Sequence, residues 1–460
     1  MKKSNSDSGL IAKRSNRLLA VVLTALCAVC ASALFAQDSQ RLSERTIMGT
    51  ARYVGMSGAM TAIGGDPSAA LDNPAGLGLY RHSEALLSFD YMHCTTHQKD
   101  LTYKGKTGLF MVPQASLVLY FPTPTQDGKG VQSHSLMFAY NRIHSYSRLY
   151  DVAGQNNPSL GHLFDELYID LGFPYNTASL NQTNGLYLRE SGYVNAYAID
   201  WAINVSNRFY WGAGLHIHSF VFSNEATYDE TFPEPDPQGK ERFNTYWTTL
   251  FFSGADCSFA TGFLYRPASW IRLGFGIQTP SVGAYNTTTT GEFETRTDSL
   301  CRTPVWERRR RVSDYHQPLH TSTSVAFQFG YYGMLAFQYD YRHTPGAHDM
   351  HSLRTGLEVI PIPGMYINAG YAYESMFRKQ DDVVLLDETL RRQEAYFQFN
   401  RWSQYVSAGI GYRGAGVIAQ LAYQYRWQSV NLYAHEQSMG CPYPVHTDTH
   451  RIVFTIGWHR

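Results

Sequence analysis

The chain has 460 residues, and its 38 Lys and Arg balance 38 Asp and Glu to a formal net charge of zero. That balance gives nucleic acid no bulk electrostatic reason to bind, and an aromatic content of 14% excludes a disordered chain. No apolar run long enough for a spanning helix follows residue 36, which excludes a helical membrane bundle.

Residues 1–36 read as a secretory signal peptide. Lys2, Lys3, Lys13, Arg14 and Arg17 precede an uncharged stretch from Leu18 to Ala36, with small residues before Gln37. Cleavage is expected after Ala36, with Ala31-Ser32-Ala33 as a second option, and it directs the mature chain to the cell envelope. Cys94, Cys257, Cys301 and Cys441 then remain, too few for a disulfide framework. Cys301 and Cys441 fall in expected outer loops, where they either pair or stand as isolated thiols.

Residues 37–83 do not alternate, and Ala51–Leu77 is dense in Gly, Ala and Pro. Small residues such as Gly55 and Gly58 let backbone approach backbone, which suits a cramped interior. Asp66 at the N-cap with Pro67 behind it opens a short helix, and Asn73-Pro74, before Ala75, ends it. The segment is expected to be a compact hatch of short helices whose closed form Asn73 and Pro74 hold. It carries no GxxxxGK[ST] and no strand leads into it, so a phosphate cradle is discarded.

From residue 84 the chain repeats a unit of about ten alternating residues and a connection. Trp211, Ala213, Leu215 and Ile217 share one parity, and Gly212, Gly214, His216 and His218 the other. Val417, Ala419, Leu421, Tyr423 and Tyr425 oppose Ile418, Gln420, Ala422, Gln424 and Arg426. Alternation of period two puts side chains on opposite faces of a sheet. Here one face is apolar and aromatic, and the other is polar and small.

Strands are expected near 84–93, 109–121, 132–146, 191–205, 209–222, 247–266, 270–280, 318–329, 334–342, 351–360, 365–374, 404–413, 416–427 and 450–459. Tight turns such as Asn207-Arg208 and Pro361–Gly364 alternate with long connections at 147–190, 223–246, 281–317, 375–403 and 428–449. Short turns at one end and long loops at the other mark an outer-membrane barrel. The fold class is therefore all-β: a transmembrane antiparallel β-barrel of about fourteen strands over 84–460, with an internal hatch at 37–83. A secreted sandwich or propeller needs neither feature.

The run Val54-Gly55-Met56-Ser57-Gly58-Ala59, then Asp66-Pro67-Ser68-Ala69-Ala70, then Asn73-Pro74-Ala75-Gly76, resembles the amino-terminal hatch of the FadL/TodX family of outer-membrane transporters. It looks most like the Bacteroidetes members labelled hemin receptors. The resemblance covers the hatch by motif and the barrel by architecture. It implies passive inward transport of hydrophobic small molecules such as long-chain fatty acids. It also implies capture among the outer loops and release through a wall opening at a kinked third strand. Here Gln132–Tyr146 has no Gly or Pro to force that kink, so exit through the wall and exit through the hatch both stay open.

His216 and His218 are lumen candidates that two-residue spacing puts on one face, with Arg426 on the lumen parity of its own strand. Lumen histidines bonded to neighbours are the commoner case, and haem binding, to which a loop group of His343, His348 and His351 would add, is the alternative. A barrel scaffold docking a surface or secretion partner is a further alternative. Arg308–Arg311 in an outer loop suits either solvent or lipopolysaccharide phosphates. Trp402, Tyr423, Tyr425 and Trp427 suit an interfacial girdle. No GxSxG or assignable triad points to an enzyme, and no metal or cofactor is expected. The expected partners are a hydrophobic ligand and outer-membrane lipid. The sequence specifies no oligomer.

Overall fold

The computed structural model describes residues 44–460 except 99–103, 125–127, 156–182, 234, 236–237, 297–299, 303–305, 316, 344–348, 377–396, 415 and 434–442. The expected signal peptide, His348 and Cys441 lie outside the described residues. Seventeen strand segments form one antiparallel sheet. They are β1 (Glu84–Gln98), β2 (Lys104–Pro122), β3 (Val131–Gln155), β4 (Thr183–Val205), β5 (Phe209–Phe232) and β6 (Arg242–Ala268). Then come β7 (Ile271–Gln278), β8 (Val282–Arg296), β9 (Leu300–Arg302), β10 (Trp306–Tyr315), β11 (Leu319–Gln328) and β12 (Gly333–His343). The last five are β13 (Met350–Ile362), β14 (Met365–Met376), β15 (Phe397–Gly414), β16 (Val417–Tyr433) and β17 (Tyr443–His459).

The sheet closes where β1 pairs with β17, Glu84 against His459. β6 pairs with β7 and then with β8, so these two are one wall strand interrupted at Thr279-Pro280-Ser281. β11 faces β7 and β10 faces β8, a second interrupted strand, while β9 only flanks β8. The wall thus has fourteen strands. Alternation explains its two faces. Along β5, Trp211, Leu215 and Ile217 are exposed to the outside, and the intervening His216 and His218 are wholly buried inside. At the turn-bearing rim, Trp270, Tyr331, Tyr332 and Trp458 stand exposed, as an aromatic girdle does. In the three-residue β4–β5 connection Ser206 and Asn207 both sit at φ 54°, the left-handed geometry that matches strand twist in a tight hairpin.

The strands run further outward than expected. Most of 223–246 is the β5–β6 hairpin, and much of 281–317 is β8 and β10. Beyond the apolar band the outward residues turn polar, at Glu225, Thr227 and Asp229, which ends the alternation of hydrophobicity. The inward parity continues, however. Tyr150, Leu188, Ala226, Tyr228, Tyr246, Val430 and Val445 are buried together as an apolar core inside the outer end. Arg308–Arg311 accordingly lie on β10, in register with Thr289–Asn286 of β8, rather than in a loop. His343 and His351 likewise lie on β12 and β13, not in a loop group. Cys301 falls on β9, and Cys94 and Cys257 are free thiols.

Candidate functional site: the hatch, its seal and a seam in the wall

The hatch occupies the bore. α1 (Ala51–Gly55) is capped by Thr50, whose hydroxyl accepts from the Tyr53 N–H. Asp66 ties the hatch to itself: one carboxylate oxygen accepts from the Ser68 N–H at 2.9 Å and the other from the Thr50 hydroxyl at 2.6 Å. Burial pushes this carboxyl upward from its ordinary value, against the opposing pull of the Thr50 bond and Arg52. Two 3-10 turns follow, Ala69–Leu71 and Pro74–Leu79. Asn73-Pro74 therefore does more than stop a helix. The Asn73 side chain accepts from the Ala75 N–H at 3.1 Å, and Pro74 opens the second turn. The Asn73 amide also donates to the Thr61 carbonyl at 3.0 Å and to the Phe263 carbonyl of β6 at 3.2 Å. One residue thus fixes the hatch to itself and to the wall.

Close approach seals the rest. A Cβ on Gly276 would lie 1.9 Å from the Asp72 carbonyl, and one on Gly370 would lie 2.4 Å from the Met56 backbone. These wall positions admit no side chain while the hatch is seated. In the hatch Gly58 has φ +73°, and a Cβ there would meet Arg354 at 2.7 Å. Gly55 lies against Asn368 of β14 and Gly409 of β15. Outside this stretch the wall forms a concavity of about 810 Å3 bordered by Phe263, Leu273, Phe337, Leu353 and Tyr371.

Charge adds a second tier of attachment. Arg52 makes a bidentate pair with Glu358 of β13, at 2.7 and 2.9 Å. Arg354 pairs with Asp340 at 2.9 Å and donates to the Tyr53 hydroxyl, which itself donates to Asp72 at 2.8 Å. Arg451 pairs with Asp90 and donates to the Ile47 carbonyl at 2.6 Å. Ahead of the hatch, residues 44–48 form a strap across the bore. Glu44 pairs with Arg148 at 2.7 Å and approaches His144 at 3.1 Å on β3. Arg45 reaches Gln278 at 2.5 Å and His320 at 3.2 Å on β7 and β11.

The third strand is continuous but bulged. Its register against β4 slips between Arg142 and His144, and β2 slips opposite Phe89, at Val112-Pro113. Pro113 lacks an N–H, which suits a bulge. The β2–β3 ladder ends at Gln114 and Asn141. Above that point β2 follows β1 while β3 follows β4. The seam is spanned by side chains: from β2 Thr107 donates to the Ser147 carbonyl at 2.8 Å, and from β1 Thr96 donates to the Leu149 carbonyl and Gln98 to the Ala153 carbonyl at 3.0 Å. The strap docks on the slip itself, through the Thr46 N–H to the Ile143 carbonyl at 3.0 Å. Sequence reading looked for Gly or Pro within β3 and so missed the Pro on its neighbour.

His216 and His218 do face the lumen, and each is engaged by a carboxylate. His216 Nε2 lies 3.0 Å from Asp200, and His218 Nδ1 lies 2.5 Å from Asp256. Their rings are 6.5 Å apart and wholly buried. Among the described residues no three His, Cys, Asp or Glu side chains are grouped for a metal. Arg426 also points inward, donating to the Ser403 hydroxyl at 3.1 Å with the Tyr405 ring beneath it at 5.3 Å.

No family model matches the chain, and no curated protein does. Solved structures do. A Pseudomonas aeruginosa FadL homologue aligns with a TM-score of 0.56 at 11% identity, covering 90% of this chain and 99% of that one. The CymD monoaromatic hydrocarbon channel aligns at 0.53 and 11%, covering 90% and 98%. The Pseudomonas putida toluene transporter TodX aligns at 0.51 and 11%, again covering 90% and 98%. CymD is described as a channel and TodX as a transporter. The chain has the fold of the FadL-type hydrophobic-compound transporters.

Proposed function

We propose that this chain is an outer-membrane channel for passive uptake of hydrophobic small molecules, exported by residues 1–36 and held closed by its hatch. The observation that carries the reading is the pairing of a sealed bore with an unladdered seam. The hatch meets the wall backbone to backbone and by ion pairs, whereas the outer part of the β2–β3 wall is spanned by side-chain bonds to carbonyls. A stretch of wall without a ladder leaves its backbone groups to be satisfied by side chains alone, so its presence marks a working part. We place the exit route at this seam rather than through the hatch. Similarity to a toluene transporter and a monoaromatic hydrocarbon channel supports the class of cargo.

The test joins the seam. With the native cysteines replaced by serine, Thr107→Cys and Ser147→Cys are bridged by a short thiol-specific cross-linker in liposome-reconstituted protein. Uptake of labelled toluene and of a labelled long-chain fatty acid should fall at least tenfold on bridging and return when a cleavable linker is cut. Undiminished uptake would move the exit route to the hatch. Absent uptake of both before bridging would reject the transport reading.

A further inference from the structure

Beside the strap lies a lumen cavity of about 30 Å3, enough for one water or a small ionic group. It is lined by Thr46 and Met48 of the strap, Ser145 and Arg148 of β3, Gln424, Arg426 and Gln428 of β16, and Thr447 and Arg451 of β17. The polar atoms left without a partner around it are unusual in kind. They are Arg148 Nη1, Arg426 Nε, Arg451 Nε, Gln424 Nε2, Gln428 Nε2, Ser145 Oγ and Thr447 Oγ1. The first five only donate, and the hydroxyls donate as readily as they accept. Gln424 is oriented by Arg451, which donates to Oε1 at 3.3 Å and so turns the NH2 toward the cavity. Gln424 is wholly buried and Gln428 is 2% exposed.

The charge balance points the same way. Arg148 is matched by Glu44 and Glu190, and Arg451 by Asp90. Arg426 has a hydroxyl and a ring for company and, among the described residues, no carboxylate in salt-bridge range. Arg426 is half-buried with its Nε shielded from solvent, so an anion beside it would find a guanidinium that no carboxylate already neutralises. Tyr405 cannot supply one, since its hydroxyl donates to Glu374 at 3.0 Å.

We infer that this cavity is a binding site for a single small anionic group, held by Arg426 with Gln424 and Gln428. Two sources supply that chemistry: a free halide-sized anion, or the carboxylate head of an amphiphile. In either case the bound charge joins the strap to β3, β16 and β17 and so holds the closed arrangement. The site stands apart from the transport reading, because binding at equilibrium is measured without transport.

The experiment uses the full mature chain in neutral detergent. Thermal midpoint is followed against sodium bromide with sodium gluconate keeping ionic strength fixed, then against octanoate with octanol as its uncharged match. A saturable rise with bromide assigns a free anion, and a rise with octanoate but neither bromide nor octanol assigns a carboxylate head. Arg426→Gln should weaken the effective anion at least tenfold, and Gln428→Leu several-fold with the charge retained. Bromide anomalous scattering from wild-type crystals should fall between Arg426 and Gln428 where bromide is the effective anion. The inference is overturned if neither anion raises the midpoint, or if bromide has no effect and octanol matches octanoate. It is equally overturned if both variants respond like wild type.

Discussion

Two stretches of the same wall meet the interior in opposite ways. From β12 to β17 the ladders run the length of the paired strands, with slips only near Val359 and Asn400, and glycines there let hatch backbone rest on wall backbone. From β2 to β3 the ladder stops midway, and the strap reaches this part of the wall through the Thr46 amide and hydroxyl and the ion-paired Glu44. Backbone packed against backbone has no rotamer freedom and resists displacement. Side chains bonded to carbonyls can let go one at a time. The difference teaches where a closed barrel can yield: at the seam and its strap, with the hatch as the fixed part.

The largest effect should come from breaking the fixed side. Gly370→Val puts branched carbon into the Met56–Ser57 backbone, where even a Cβ would lie 2.4 Å from an atom. Overpacking typically costs about 1–3 kcal/mol, and contact with backbone rather than a flexible side chain puts this case at the upper end. Thermal unfolding in detergent should shift accordingly and small-solute leakage rise. Gly185→Ala, where a Cβ meets nothing within 4 Å, should change neither. If both variants behave alike, the glycine seal is not what closes the bore.

Next comes Arg52→Ala. Glu358 is 3% exposed and would lose both of its guanidinium bonds. Removing one partner of a fully buried pair costs about 3–5 kcal/mol, while replacing both by apolar groups of similar volume is often neutral. Because the Arg52 side chain stays 13% exposed, the loss here should fall below that range and below the glycine clash. Arg52→Met with Glu358→Leu should therefore recover most of the stability lost by Arg52→Ala alone. A double variant as unstable as the single would show that the pair sets the hatch position as well as its charge balance.

Much of this was legible in the sequence, but unevenly. Fourteen wall strands followed from alternation, because lipid on one side and a polar lumen on the other impose a period of two at every position. The small residues of the lumen parity, Gly212 among them, suited a wet lumen as well as a plugged one, while the small residues of 51–77 pointed to a cramped hatch and Asn73-Pro74 marked its turn. The outer ends of β3 to β6 were not legible, because beyond the bilayer their outward residues are polar and only the inward parity, with Tyr228 and Tyr246, persists. Nor were the partners of Arg52 or Arg451, which lie some 300 and 360 residues away. Nothing local distinguishes an inward Arg that pairs with the hatch from one that pairs across the wall. The seam was missed because its proline sits on β2.

The smallest effect, and the one that most sharpens the contrast, concerns the strap. Burial alone would raise the Glu44 carboxyl, but Arg148 and then His144 outweigh it and hold the group well below the ordinary carboxylate range. A carboxylate whose folded value is depressed contributes stability above its unfolded value, about 4.3, and loses that contribution as the pH falls toward the folded one. The strap should thus stay latched at neutral pH and loosen progressively below about pH 4. The Thr46 amide, bonded to the Ile143 carbonyl, reports this directly by hydrogen exchange corrected for the intrinsic rate. Glu44→Gln should raise its exchange about tenfold at pH 7, an order-of-magnitude figure for a weakened charge-assisted bond, and make protection flat with pH. Amides of α1 should not respond, since Thr50 and Ser407 hold that turn without Glu44. Equal loosening of strap and hatch would mean that they move as one body, and the seam would then have no latch of its own.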